Sequence, residues 1–368
     1  MNAGIVWDTG YARDPVSDAA FRVDRAFDLA RSARSDRDRD AVWDLLHEAA
    51  HLPAPAVEVA TDALAATHPV RRSVAADLLG VVADCHPDAT ADVTTVLVAA
   101  SPRETHAAVQ RSLAEAMGHG DRRVLPALVT YAAHPDAAVR LATARSLTTA
   151  MYDDPDDAGL DALLRLSTDP DPEVRNWATF GFGWQLPVDS TAIREALWAR
   201  TTDPYPEARQ EGIRGLARRR DRRVVPLVAG LLLADAAHVF TFDAASFLGD
   251  PALLPALALY NPIDQGVAEA LTECDPAARA VRDARAWELF EEVCRRWPEL
   301  PMALYCERFE LGMSLDVAPI DPPLGAPAAM DVAIAHYSVE GLLARAGGDV
   351  ARAADLVAAD LLDAQLDG

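Results

Sequence analysis

The sequence predicts an all-α protein: a right-handed α-solenoid, an α-α superhelix of about eight helix pairs with a helical cap at each end. Three observations carry this reading. Prolines recur at positions 69, 102, 135, 170 and 204, at intervals of 33, 33, 35 and 34 residues. Most lead into a short hydrophobic-Arg pair: Val70-Arg71, Val139-Arg140, Val174-Arg175 and Ala208-Arg209. The composition is 51% hydrophobic, chiefly Ala, Leu and Val, with Arg and Glu, and these residues favour helix. A fixed period of this size means stacked supersecondary units, each burying its apolar face against its neighbours.

In chain order, residues 1–35 are expected to form an N-terminal cap, a loop followed by a helix over about Ser17 to Ser32. Helices over Arg39–Leu52 and Pro55–Ala66 make the first repeat, and further repeats begin near residues 69, 102, 135, 170, 204 and 236, with a weak one at Asn261-Pro262. Within a repeat, the segment from Pro204 starts the first helix, with Glu207 at its positive N-terminal end. Ala208, Gly212, Gly215 and Leu216 share one narrow face. Arg218-Arg219-Arg220-Asp221 turns the chain, and Asp221 caps the second helix, where Pro226 is tolerated only in the first turn. The repeat over His238 to Phe247 has a shortened first helix.

The array is expected to span residues 36–283, and residues 284–368 to form a C-terminal helical capping subdomain. There, Ala286 to Trp297 reads as helix and Pro298 and Pro301 as its break. Asp316 to Pro327, with Pro319, Pro322, Pro323 and Pro327, reads as a long loop, and Met330–Arg345 and Asp349–Leu366 as closing helices. Gly347-Gly348-Asp349 supplies a C-cap glycine and then an N-cap.

The run Asp169-Pro170-Asp171-Pro172-Glu173-Val174-Arg175 resembles bacterial HEAT repeats of the phycobilisome-lyase-like kind. So does the second-helix motif shared by Gly120-Asp121 to Leu128 and Gly249-Asp250 to Leu257, with Arg220-Asp221 to Val228 following the same pattern. The resemblance covers about residues 36 to 283 and implies a HEAT/armadillo-like fold. That fold hosts scaffolds and a few enzymes, so it fixes no activity.

Charge and composition narrow the function. The net charge is -23, from 34 basic and 57 acidic residues. This field repels nucleic acid and anionic membrane and favours a basic or Arg-rich protein partner. Every basic residue is Arg, which removes Lys-based chemistry. The four cysteines, Cys85, Cys274, Cys294 and Cys306, have no C-x-x-C spacing and read as reduced thiols of a cytoplasmic protein. The first residues lack a signal-peptide pattern, and the apolar run Val224 to Ala234 is too short to span a bilayer.

His47-Glu48-Ala49-Ala50-His51 fits H-E-x-x-H, in which two histidines one turn apart hold zinc and the Glu is general base. Pro53 closes the helix at once, no third ligand follows in sequence, and Glu58 is the nearest candidate. A metal-dependent hydrolase on His47, Glu48 and His51 is therefore the alternative reading, with a bilin-lyase-like enzyme on the same fold beside it. A single His-Glu pair is too few for a di-iron centre. The cluster Arg218-Arg219-Arg220 with Arg222-Arg223, matched by Arg122-Arg123, falls at turns and reads as solvated helix ends.

One repeat departs from its siblings. Trp177 stands where others carry Ala142 or Glu211, Phe180 where they carry Arg145 or Arg214, and Trp184 where they carry Thr149 or Arg218. Aromatic residues at i, i+3 and i+7 make a stripe that either packs between repeats or anchors a partner. Phe180 or Trp184 is expected to keep exposed apolar area. The expectation is a protein-binding scaffold with no cofactor and no intrinsic catalysis, with Trp177, Phe180 and Trp184 as the contact residues.

Overall fold

The computed structural model describes residues 14–234, 237–317 and 335–366, with side chains to residue 360. The fold is an α-solenoid carrying one small sheet. The chain divides between Gly212 and Ile213 into two compact units.

The first unit opens with α1 (Pro15–Ser32), α2 (Asp36–Ala50) and α3 (Pro53–Ala63). Four helix pairs follow. Their first helices are α4 (Pro69–Cys85), α6 (Ala107–Met117), α8 (Ala137–Ala150) and α10 (Pro172–Phe180). The second helices are α5 (Thr90–Ala100), α7 (Leu125–Tyr131), α9 (Asp157–Leu166) and α11 (Thr191–Arg200). Helix α12 (Pro206–Arg218) carries the chain across the division. First helices pack on first helices, α4 on α6 and α6 on α8. Their cores are Val74, Leu78 and Leu79 in α4, Val109 and Leu113 in α6, and Val139 and Leu147 in α8, all buried.

Three of these four first helices, α4, α8 and α10, are started by a side-chain cap, and α6 begins without one. His68, Asp136 and Asp171 accept from backbone N–H groups of the first turn. These caps correct the alignment of the first full repeat. His68 occupies the place of Asp136, so the counterpart of Arg140 is Arg72, not Arg71. Pro69 therefore sits one step inside the helix, where Pro172 also sits.

The arginine of the anchor builds a ladder through this unit. Arg72 forks onto Glu104 at 2.7 and 3.1 Å, Arg140 onto Asp169 at 2.7 and 2.8 Å, and Arg175 onto Asp203 at 3.0 and 2.9 Å. Each also donates to carbonyls five and six residues back, as Arg140 does to Pro135 and His134. The accepting acid turns its own loop: Asp169 takes the N–H of Asp171 and Asp203 that of Tyr205. Between α6 and α8 the rung changes chemistry. Gln110 replaces the arginine and His134 the acid. His134 Nδ1 accepts the N–H of Asp136, so its Nε2 donates to Gln110 Oε1 at 2.9 Å. Burial pushes the carboxyls of Glu104, Asp169 and Asp203 upward, but the arginine and backbone hydrogen bonds outweigh it and hold all three below the ordinary carboxylate value.

The second unit contains α13 (Val225–Leu232), α14 (Val239–Leu248), α15 (Leu254–Leu257), α16 (Val267–Cys274) and α17 (Pro276–Arg296). Asp221 and Asp250 each cap a short 3-10 turn that leads into α13 and α15. The C-terminal region departs from the expected all-helical cap. Strands β1 (Met302–Tyr305), β2 (Ser314–Val317) and β3 (Ala335–Ser338) form an antiparallel sheet in the order β1-β2-β3. The expected helix Met330–Arg345 is corrected: residues 335–338 are strand and only α18 (Val339–Arg345) is helical, while residues 330–334 lie outside the described residues. The cause is alternation. Leu315 and Tyr337 face one another on the buried side, against Leu289 and Val293 of α17 and Val357 of α19 (Val350–Leu366). Asp316 and His336 pair on the opposite side at 2.8 Å. Ser338 then caps α18 through the N–H of Gly341. Of the expected loop over Asp316 to Pro327, Asp316 and Val317 belong to β2 and residues 318–327 lie outside the described residues, as does the N-terminal loop before Asp14.

Candidate functional site

His47, Glu48 and His51 lie at the C-terminal end of α2 and are all exposed. His47 Nδ1 lies 2.9 Å from the Trp43 carbonyl, and Glu48 approaches Arg22 at 3.4 Å. His51 is the residue after the helix and takes its C-cap position. Among the described residues, no three of His, Cys, Asp and Glu are grouped to hold a metal ion. Glu58 stands exposed on α3.

Most arginines of the turn clusters pair with carboxylates, and Arg218 and Arg219 are buried where solvated ends were expected. Arg122 pairs with Asp154 at 2.6 Å, Arg123 with Asp121 at 2.6 Å, Arg222 with Asp250 at 2.7 Å and Arg223 with Asp221 at 2.8 Å. Arg218 pairs with Glu310 at 3.1 Å. A basic track for phosphates would need these charges turned to solvent together.

The aromatic stripe sits where helix geometry changes. Helix α10 runs into a π-helical turn, Gly181–Gln185, closed by the N–H of Leu186 on the Gly181 carbonyl at 2.9 Å. The wider turn rotates Trp184 relative to a regular continuation, and such turns recur at functional sites. Glycine is required at its start: a Cβ on Gly181 would lie 2.4 Å from Thr148 Oγ1. Trp177 and Phe180 meet edge to face with ring centroids 5.6 Å apart, and the Arg145 guanidinium lies 4.3 Å from the Trp177 centroid. Trp177, Phe180 and Trp184 are all half-buried, so neither Phe180 nor Trp184 is fully enclosed. Phe182, pointing the other way, is wholly buried.

A second feature lay unread in the sequence. A cavity of about 170 Å³ opens among α2, α4 and α6, lined by Trp43, His47, Asp77, Asp84, Glu115 and His119. Gly80 and Ala116 set its floor, where a Cβ on Gly80 would come within 3.2 Å of Ala116 Cα. Burial pushes the Asp77 carboxyl up to about 7, with Glu115 adding to the rise, against a lowering pull from Ser112 and Arg111. The signal was present: Asp77 interrupts the apolar run Val74-Ala75-Ala76-Asp77-Leu78-Leu79.

Residues 90–183 match the family model for HEAT repeats. Protein YibA of Escherichia coli K12 is 35% identical over 102 residues, which are 28% of this chain and 36% of YibA, so the match spans little more than a third of that relative. The solved structure of Escherichia coli YibA superposes with a TM-score of 0.54 at 24% identity, over 73% of this chain and 98% of that one. The complex of CpcE and CpcF of phycocyanin lyase from Nostoc is similar at a TM-score of 0.37 and 18% identity, over 59% of this chain and 86% of that one.

Proposed function

We propose that this chain, a HEAT-repeat protein, is a scaffold that binds a basic protein partner and carries out no chemistry of its own. The observation that carries the reading is the contrast between rungs and departures. The polar residues that recur from repeat to repeat are consumed by stacking, as in the Arg140–Asp169 and Arg175–Asp203 rungs. The residues that break the pattern, Trp177 and Phe180 on α10 and Trp184 on the π-turn that follows, are half-buried aromatic groups. Aromatic side chains held part-open on a rigid support are the usual anchors of protein interfaces. The net charge of -23 supplies long-range attraction for a basic partner. The partner is expected in the cytoplasm, where the four cysteines stay reduced.

Capture from native lysate tests this, with the wild type beside Phe180→Ala/Trp184→Ala at low and high salt. A specific basic partner retained by the wild type, lost at high salt and weakened in the variant is the expected result. A partner bound equally by both proteins would remove the aromatic stripe from the reading, and one insensitive to salt would remove the acidic field.

A further inference from the structure

We propose that the cavity among α2, α4 and α6 is a receptor for one arginine side chain of a basic protein partner. The inference rests on the scaffold reading and names its recognition chemistry. Three carboxylates line the cavity, Asp77 and Asp84 from α4 and Glu115 from α6, and no arginine is among the lining residues. Trp43 of α2 lines the cavity and is 43% exposed, an aromatic face available to a flat cation. The volume of about 170 Å³ is well below the roughly 300–1,000 Å³ of small-molecule sites and suits a single side chain.

The internal neighbours leave the charge uncompensated. Asp84 is engaged by His119 at 3.1 Å, and Glu115 is approached only loosely by Arg111 at 3.8 Å. Among its neighbours only Ser112 offers Asp77 a hydroxyl, and the Ser112 hydroxyl, 1% exposed, makes no hydrogen bond of standard geometry. A half-buried carboxylate beside a buried hydroxyl without a firm partner is costly unless a ligand completes it. A planar guanidinium offers five donors and a charge that stays on at all accessible pH values, and it can fork between carboxylates of adjacent helices.

The same groups set the pH dependence. Asp77 faces Glu115, Arg111 and Ser112 from α6 and His47 from α2, with Asp84 on its own helix. Asp77 must lose its proton to take a cation, so binding strengthens as pH rises through about 7. The sign for stability is opposite. A carboxyl raised by burial favours the folded state below its unfolded value, and that advantage is lost as pH rises through the folded one. Asp77→Asn is therefore expected to fold at least as stably as the wild type at pH 8, which keeps the variant usable.

The probe is acetyl-Ala-Arg-Ala-amide, with citrulline in place of arginine as the neutral twin. The readout is NMR titration of the Trp43 indole resonance, assigned with Trp43→Phe. At pH 8 the arginine peptide should shift that resonance saturably and the citrulline peptide should not. Asp77→Asn and Glu115→Gln should each weaken binding about tenfold, a loss of about 1.4 kcal/mol. Asp161→Asn, removing an exposed acid on α9, should change it less than about twofold. An equal response to both peptides, or wild-type affinity in Asp77→Asn, overturns the proposal. If a lysate partner is captured while the arginine peptide fails, the scaffold reading stands and this one falls; the reverse result separates them the other way.

Discussion

Removing both members of a ladder rung should cost well under the sum of removing each alone. The rung between α8 and α10 is the best case. The Arg140 and Asp169 side chains are 13% and 6% exposed and share two hydrogen bonds of 2.7 and 2.8 Å. Asp169→Ala strands the Arg140 guanidinium and also frees the N–H of Asp171. Breaking a buried pair from one side costs about 3–5 kcal/mol, and the partial water access here points to about 3 kcal/mol. Arg140→Met leaves Asp169 and the carbonyls of His134 and Pro135 without their donor, for a similar loss of about 3 kcal/mol. The double variant leaves no charge stranded, so it should cost about 2–3 kcal/mol less than the sum of the singles. Urea unfolding followed by far-UV circular dichroism measures the three values. Arrays can unfold by segments, so hydrogen exchange in α8 and α10 is read beside it. Single variants within about 0.5 kcal/mol of wild type, or strict additivity, would refute the claim that the rung holds neighbouring repeats together.

The odd rung offers the converse. Gln110→Arg with His134→Asp should rebuild the fork between α6 and α8 and add about 1 kcal/mol by the same unfolding assay; a loss of stability would show that the Gln110–His134 rung is adapted to its site. Acid should loosen the ladder. Glu104, Asp169 and Asp203 have folded values below their unfolded ones, so their contribution is full above about pH 4 and is lost as pH falls through the folded values; a melting temperature unchanged across that range in the wild type would contradict this. Gly212→Ala should destabilise by about 1–3 kcal/mol, because its Cβ would lie 2.8 Å from the Leu197 carbonyl, which belongs to backbone and cannot swing aside.

The solenoid was legible because its period is written in residues with fixed backbone roles. Proline at a helix start and Asp at an N-cap are local chemistry, so the helix start near Pro204 and the cap at Asp221 could be placed without a structure. The rungs were half legible. The recurring arginine was visible, but its partner lies about 30 residues on, and only the caps show that Arg72 and not Arg71 belongs to the series. The sheet was not legible: its strands are four residues each, bordered by prolines and glycine, and its alternation is too short to stand out from a helical pattern. The aromatic stripe was found by comparing repeats, while the π-turn that aims it depends on the contact of Gly181 with Thr148. The acidic cavity was missed because its groups come from three helices, and only Asp77 breaks an apolar run in sequence.

The central claim is that shared polar residues hold the array together and departures from the repeat do the binding. Hydrogen–deuterium exchange of the intact protein, with and without its captured partner, tests this most directly. New protection is expected in α2, α4 and α6 around the cavity and in α10 through the π-turn, with the turns that carry the rungs unchanged. Protection confined to the rung turns, or to helices without a departure such as α5 and α7, would contradict it.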